Sequence, residues 1–147
     1  GLANTKEISS EELLALDCDI LLPAALENTI TLSNVGRVRT KIIAELANGP
    51  VTPGADRVLS EQGVFLVPDI LANAGGVTVS YYEWVQDLYS FFWPEEQVNR
   101  TLEQTMKTAF EQVYAKTEQY RTDMRTGAYV LAVGRVADAT RVRGIFP

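Results

Sequence analysis

A strand that must stop runs straight into a helix that opens on glycine in the stretch Val64-Phe65-Leu66-Val67-Pro68-Asp69-Ile70-Leu71-Ala72-Asn73-Ala74-Gly75-Gly76-Val77-Thr78-Val79-Ser80. Four apolar residues end at Pro68, which reads as a buried strand and its stop. Gly75 and Gly76 then lead into a long helical pattern with a hydroxyl one turn in. Glycines at a helix start let backbone N–H groups approach a ligand closely. The free N–H groups and the helix dipole favour a carboxylate, a phosphate or another electron-rich group there. A strand, a short loop and an open helix start form the ligand-binding corner of open α/β sheets. The same residues also suit a tight strand-to-helix turn whose glycines serve packing only, and by themselves they leave both readings open.

The rest of the chain supplies the partners of that strand. Ser9-Ser10-Glu11-Glu12 reads as a capping box ahead of a short helix ending near Leu16. Asp19 to Leu22 is a strand closed by Pro23, and Ile42 to Leu46 is a second strand ending at Asn48-Gly49-Pro50. Asn34 to Arg39 reads as a helical turn between them. Thr52-Pro53 reads as an N-cap with proline in the first helical position, and Gly63 ends that helix near Gln62. No hairpin signal joins any two strands, and helical connections imply parallel pairing with right-handed crossovers. A helix from Gly76 to about Phe92 comes next, then one opening at Pro94-Glu95-Glu96. Val98, Leu102, Met106, Ala109, Val113 and Thr117 form its amphipathic stripe. A last helix from Asp123 to Arg143 is apolar on several sides, which predicts that it is well buried. Gly127 interrupts it, at a cost of about 1 kcal/mol relative to alanine, and implies a close helix contact. The predicted fold is a single α/β domain over residues 1–147: half of a doubly wound, Rossmann-like parallel sheet of about three strands, with a helical C-terminal half.

Composition narrows the chemistry. The net charge of −6 argues against binding nucleic acid through its phosphates. The chain has no histidine, which removes the commonest general base and metal ligand. Cys18 is the sole cysteine, so neither an internal disulfide nor a cysteine metal cluster is expected, and its place in an apolar strand suits packing. No apolar run approaches about 18 residues, so no membrane partner is expected.

Four stretches carry a resemblance. They are Cys18-Asp19-Ile20-Leu21-Leu22-Pro23-Ala24-Ala25-Leu26-Glu27 with Ala44-Glu45-Leu46-Ala47-Asn48-Gly49-Pro50-Val51-Thr52-Pro53, then Pro68 to Trp84, then Met124-Arg125-Thr126-Gly127-Ala128-Tyr129-Val130-Leu131-Ala132-Val133. In this order they resemble the glutamate dehydrogenase family over essentially the whole chain. The segment Tyr81 to Val98 resembles glutamate dehydrogenases more than the related leucine, valine and phenylalanine enzymes. The resemblance implies oxidative deamination of L-glutamate to 2-oxoglutarate and ammonia with NAD or NADP. It implies a cytoplasmic homo-oligomer. It also implies that this chain is the C-terminal part of a longer enzyme. No Gly-x-Gly-x-x-Gly occurs here, and the family's catalytic lysine and aspartate would lie upstream. No catalytic residue is therefore assigned, and the chain alone is expected to be inactive. By the same resemblance strand Asp19–Leu22 would border a missing strand, so self-association or retention of an upstream fragment is expected.

The site residues implied by the resemblance each have a plainer counterpart. Ala24 and Ala25 leave the first strand with side chains small enough for a flat cofactor ring to lie close; a close-packed turn explains them equally well. Asn48 and Asn73 end the second and third strands, and the resemblance places Asn73 against the cofactor's ribose or nicotinamide. Asparagine also suits turns. Val77 and Ser80, three apart on one helix face, would wall the substrate's methylenes and donate to its carboxylate. Alternatively Ser80 bonds back to the carbonyl of Gly76. Tyr81, Tyr82, Trp84, Tyr89, Phe91, Phe92 and Trp93 suit a core or subunit contact. A truncated, non-catalytic module that binds an intact dehydrogenase or a small ligand is the competing function.

Overall fold

Strand β1 (Asp17–Leu21) and strand β2 (Arg39–Ala44) pair in parallel in a computed structural model that describes residues 5–144. Both start earlier than their apolar runs. The polar residues extend the ladder, with Asp17 opposite Arg39 and Cys18 opposite Thr40. The Lys41 ammonium pairs with Asp19 at 2.6 Å, and the Thr40 hydroxyl donates to the Asp19 carbonyl at 3.1 Å. Leu46 leaves β2 because its N–H, like that of Ala47, turns to the Pro23 carbonyl. Strand β3 (Phe65–Val67) completes the order β1-β2-β3. The result is the expected α/β half-sheet, with β1 at its edge and helices making up most of the chain after β3.

The described residues divide into two compact units between Leu66 and Val67. In the first, helix α1 (Ser10–Leu14) starts at the expected capping box. Ser9 Oγ accepts the Glu12 N–H, and the Glu12 carboxylate accepts the Ser9 N–H. The connection from β1 to β2 contains only one 3-10 turn, Val35–Arg37. Helix α2 (Pro53–Glu61) begins after Thr52 as predicted, but the Thr52 hydroxyl does not cap it. That hydroxyl donates to the Ile30 carbonyl at 3.3 Å instead. The core gathers Ile30, Val35, Val38, Ile43, Val51, Ala55, Leu59 and Leu66.

The second unit is helical. Helix α3 (Asp69–Ala72) is a single turn that no sequence signal announces. The buried Pro68 holds it, because its carbonyl accepts the N–H groups of Leu71 and Ala72. Helix α4 (Ala74–Tyr89) starts two residues before the predicted Gly76 and stops where Ser90 turns left-handed, at φ 49°. Helix α5 (Glu95–Tyr120) buries Val113 and Thr117 and half-buries the rest of the predicted stripe.

Helix α6 (Met124–Arg143) corrects an expectation. Only Met124, Gly127 and Ala128 are buried, whereas Val133 and Val136 are 62% and 67% exposed. Its apolar residues ring the helix, so a single neighbour cannot cover them. The close contact expected at Gly127 is present: a Cβ there would stand 2.4 Å from Thr117 Oγ1 and 3.2 Å from the Val113 carbonyl. Leu71, Val113, Met124 and Ala128 form this unit's core.

Candidate functional site

The first unit gathers its candidate residues at the C-terminal ends of β1 and β2, where ligands bind in open parallel sheets. Pro23 is buried behind β1, and its carbonyl takes the N–H groups of Leu46 at 3.1 Å and Ala47 at 2.9 Å. That moors the Ala24–Ala25 loop against the loop carrying Asn48. A second seam runs alongside. The Asn28 N–H donates to the Gly49 carbonyl and the Ile30 N–H to the Pro50 carbonyl, both at 2.8 Å. Ile30 and Val51 form a parallel bridge. Gly49 sits at φ 56°, a conformation that side chains resist, so the Asn48 turn depends on that glycine. Ala24, Ala25 and Asn48 are all on this braced rim, with both alanines exposed. Glu45, just before the rim, is fully buried; sequence reasoning misses it because its signal is only one acid inside an otherwise apolar motif.

The second unit carries Asn73, Val77 and Ser80. Asn73 joins α3 to α4 at φ −94° and ψ 1°, and its N–H donates to the Asp69 carbonyl at 3.0 Å. Its side chain makes no cap to α4. Val77 is 70% exposed. Ser80 is exposed on the same face, and its hydroxyl donates to the Gly76 carbonyl at 3.2 Å, which is the plainer of its two readings. The preceding hydroxyl, on Thr78, bonds back to Ala74 at 2.8 Å.

The two glycines differ in their surroundings. A Cβ on Gly75 would sit 3.8 Å from Leu102 Cδ1 and 3.9 Å from Met106 Sδ, which is ordinary packing. A Cβ on Gly76 would meet nothing within 4 Å. Gly76 is helical, so neither conformation nor packing among the described residues calls for glycine there. A mid-helix glycine costs roughly 0.5–1 kcal/mol relative to alanine. The surface beside Gly76, Val77 and Ser80 is open helix face, as it is beside Gly134 in α6.

Of the aromatic cluster, Tyr82 is buried, shares a 2.8 Å hydrogen bond with Thr105 and lies 5.7 Å from the Trp93 ring. Tyr81, Trp84, Tyr89, Phe91 and Phe92 are exposed. Asp69 and Arg125, which sequence reasoning does not single out, form an ion pair at 3.4 Å between α3 and α6. Their opposite charges, one in each of two long motifs, are the available signal. Among the described residues no group of three or more His, Cys, Asp and Glu could hold a metal ion. None of the described helices is long and apolar enough to cross a membrane.

Comparison with known proteins agrees with this layout. The sequence profile of the glutamate/leucine/phenylalanine/valine dehydrogenases matches residues 2–144. Glutamate dehydrogenase of Thermotoga maritima is 59% identical over 142 residues, covering 97% of this chain and 34% of that protein. NAD-specific glutamate dehydrogenase of Staphylococcus aureus is 50% identical over 137 residues, covering 93% and 33%. The solved hetero-hexameric glutamate dehydrogenase of Thermus thermophilus, in a leucine-bound form, superposes with a TM-score of 0.93 at 35% identity, covering 98% of this chain and 35% of that one. The chain thus spans about a third of the length of the curated relatives it matches.

Proposed function

The chain belongs to the glutamate/leucine/phenylalanine/valine dehydrogenase family, and we propose that it forms the C-terminal segment of a glutamate dehydrogenase, lining the nicotinamide side and reading the substrate carboxylate. The reaction is oxidative deamination of L-glutamate to 2-oxoglutarate and ammonia, with NAD or NADP as acceptor. Held by Asn73 and by the Ala24, Ala25 and Asn48 rim, the nicotinamide would supply the acceptor for the hydride leaving the amino-acid α-carbon.

The match to glutamate dehydrogenases over 93–97% of the chain carries the reading. The exposed face of Gly76, Val77 and Ser80 leaves room for a flat ring or a short aliphatic chain. In the proposed role Val77 shields the methylenes of glutamate from water. Ser80 turns its hydroxyl from the Gly76 carbonyl to the substrate carboxylate, exchanging a neutral hydrogen bond for a charge-assisted one. Asn73 offers an amide that both donates and accepts to the ribose or nicotinamide. On the first unit's rim, Ala24 and Ala25 leave backbone within reach of a flat ring, and Asn48 supplies a second amide. No histidine or lysine lies near Ser80 in the sequence, so its role is recognition and the acid/base groups come from upstream residues. We further propose a cytoplasmic, oligomeric enzyme; the oligomer is supported by the hexameric Thermus thermophilus neighbour.

A chimera tests this. The matching third of the Thermotoga maritima enzyme is replaced by this chain, and NADH formation from glutamate is followed by absorbance. The chimera should turn over, and the 147-residue chain alone should not. A folded chimera without turnover, or turnover by the chain alone, would contradict the proposal.

A further inference from the structure

We propose that Arg125 is a positioning residue for Asn73, acting through Asp69. The proposal rests on the reading of Asn73 as a cofactor contact for its functional meaning, but its geometry stands by itself. Asp69 faces two ways. Its carboxylate accepts the Arg125 guanidinium at 3.4 Å and the Ile70 N–H at 2.7 Å. Its backbone carbonyl accepts the Asn73 N–H at 3.0 Å. Arg125 lies in the first turn of α6, 56 residues further along the chain. The arginine thus grips the residue that fixes the start of the α3 turn, and that same residue fixes Asn73 at its end.

Two features set this pair apart from surface decoration. Its side chains are only 22% and 23% exposed. Arg37–Glu11, Lys41–Asp19, Lys107–Glu103 and Arg141–Asp138 have both partners 63% or more exposed, where solvent screening leaves little. The pair also ties α6 to a short helix that Pro68 anchors at its start. The helix is one turn long, and Leu71 is its only buried residue. A four-residue helix is not stable by its own hydrogen bonds, so its orientation depends on such external ties. Asn73 sits at ψ 1°, between two helices, where a small rotation of α3 redirects its side chain.

Amide hydrogen exchange by NMR on this chain distinguishes positioning from general support. Arg125→Gln should speed exchange of the Asn73 N–H by about tenfold or more while the α5 amides of Val113 and Thr117 change little. Arg125→Lys should restore part of the protection, because it keeps the charge but loses the planar fork. Asp69→Asn keeps an oxygen for the Ile70 N–H while removing the charge, and it should reproduce the local effect if Arg125→Gln does not fold. Unchanged Asn73 exchange in the folded variants, or equal acceleration at Val113 and Thr117, would overturn the proposal. Kinetics of the chimera separate the two readings. If Asn73→Ala leaves the chimera's KM for NAD unchanged while the exchange effect persists, the cofactor assignment fails and the positioning role stands.

Discussion

Residues 5–66 and residues 67–144 build their cores from different kinds of elements. The first unit uses short elements and loops, yet eight residues spread from Ile30 to Leu66 close one cluster around Ile43 and Leu59, both fully buried. The second unit has long helices and a smaller core of four buried residues. Apolar side chains stay in solvent in both units, including Ile20, Leu22, Leu26 and Leu32 in the first and Val77, Tyr81, Trp84, Leu88, Val133 and Val136 in the second. Distant contacts hold the first unit together. The second depends more on helix signals and a few close crossings. The candidate residues follow this division: a braced rim carries Ala24, Ala25 and Asn48, and an open helix face carries Val77 and Ser80.

The contrast between the units breaks most readily in the cores. Ile43→Ala should destabilise the chain by about 2–5 kcal/mol, because a fully buried side chain leaves a cavity. Val136→Ala, on exposed α6, should stay within about 0.5 kcal/mol. Urea unfolding of both variants measures the contrast, and similar losses would remove it.

A smaller effect is expected at the helix crossing. Gly127→Ala gains about 1 kcal/mol of helix propensity. Its Cβ, however, meets Thr117 Oγ1 at 2.4 Å and backbone atoms at 3.1 and 3.2 Å, which cannot swing away. Overpacking of that kind costs about 1–3 kcal/mol, so the balance should be a net loss of about 1 kcal/mol, partly recovered by adding Thr117→Ala. A stabilised Gly127→Ala would show that the crossing is looser than these distances imply.

The smallest effect concerns the start of α6. Asp123 caps that helix, accepting the Thr126 N–H and hydroxyl, both at 2.8 Å. Partial burial raises its pKa, but the hydrogen bonds from Thr126, with others from its own backbone and Thr122, outweigh burial and leave it below the ordinary aspartate value. A lowered folded pKa means that the stabilisation is present above the unfolded pKa and is lost as pH falls through the folded one. Asp123→Ala should cost about 1 kcal/mol at neutral pH and flatten the acid limb of Tm against pH. An unchanged acid limb would show that the cap is idle.

Much of the fold is legible in the sequence because local signals and tertiary packing agree. The capping box at Ser9, the proline stops at Pro23 and Pro68, and the α5 stripe all lie where expected. The early start of β2 is hidden because Arg39, Thr40 and Lys41 pair through the backbone and through Asp19, which hydropathy does not reveal. The exposure of α6 is hidden because an apolar helix looks the same in sequence whether or not a neighbour covers it. Gly76 is legible as unusual, but the sequence does not show that its Cβ position faces open space. The Asp69–Arg125 pair joins distant motifs and leaves no periodic trace.

Ser80 offers the most direct test of the substrate reading. In the chimera, Ser80→Ala removes one hydrogen bond to a charged group, worth about 1.5–3 kcal/mol. The KM for glutamate should rise by about tenfold or more, while the KM for the nicotinamide cofactor stays close to its starting value. An unchanged glutamate KM with a weakened cofactor would contradict that reading and reassign this face of α4 to the cofactor.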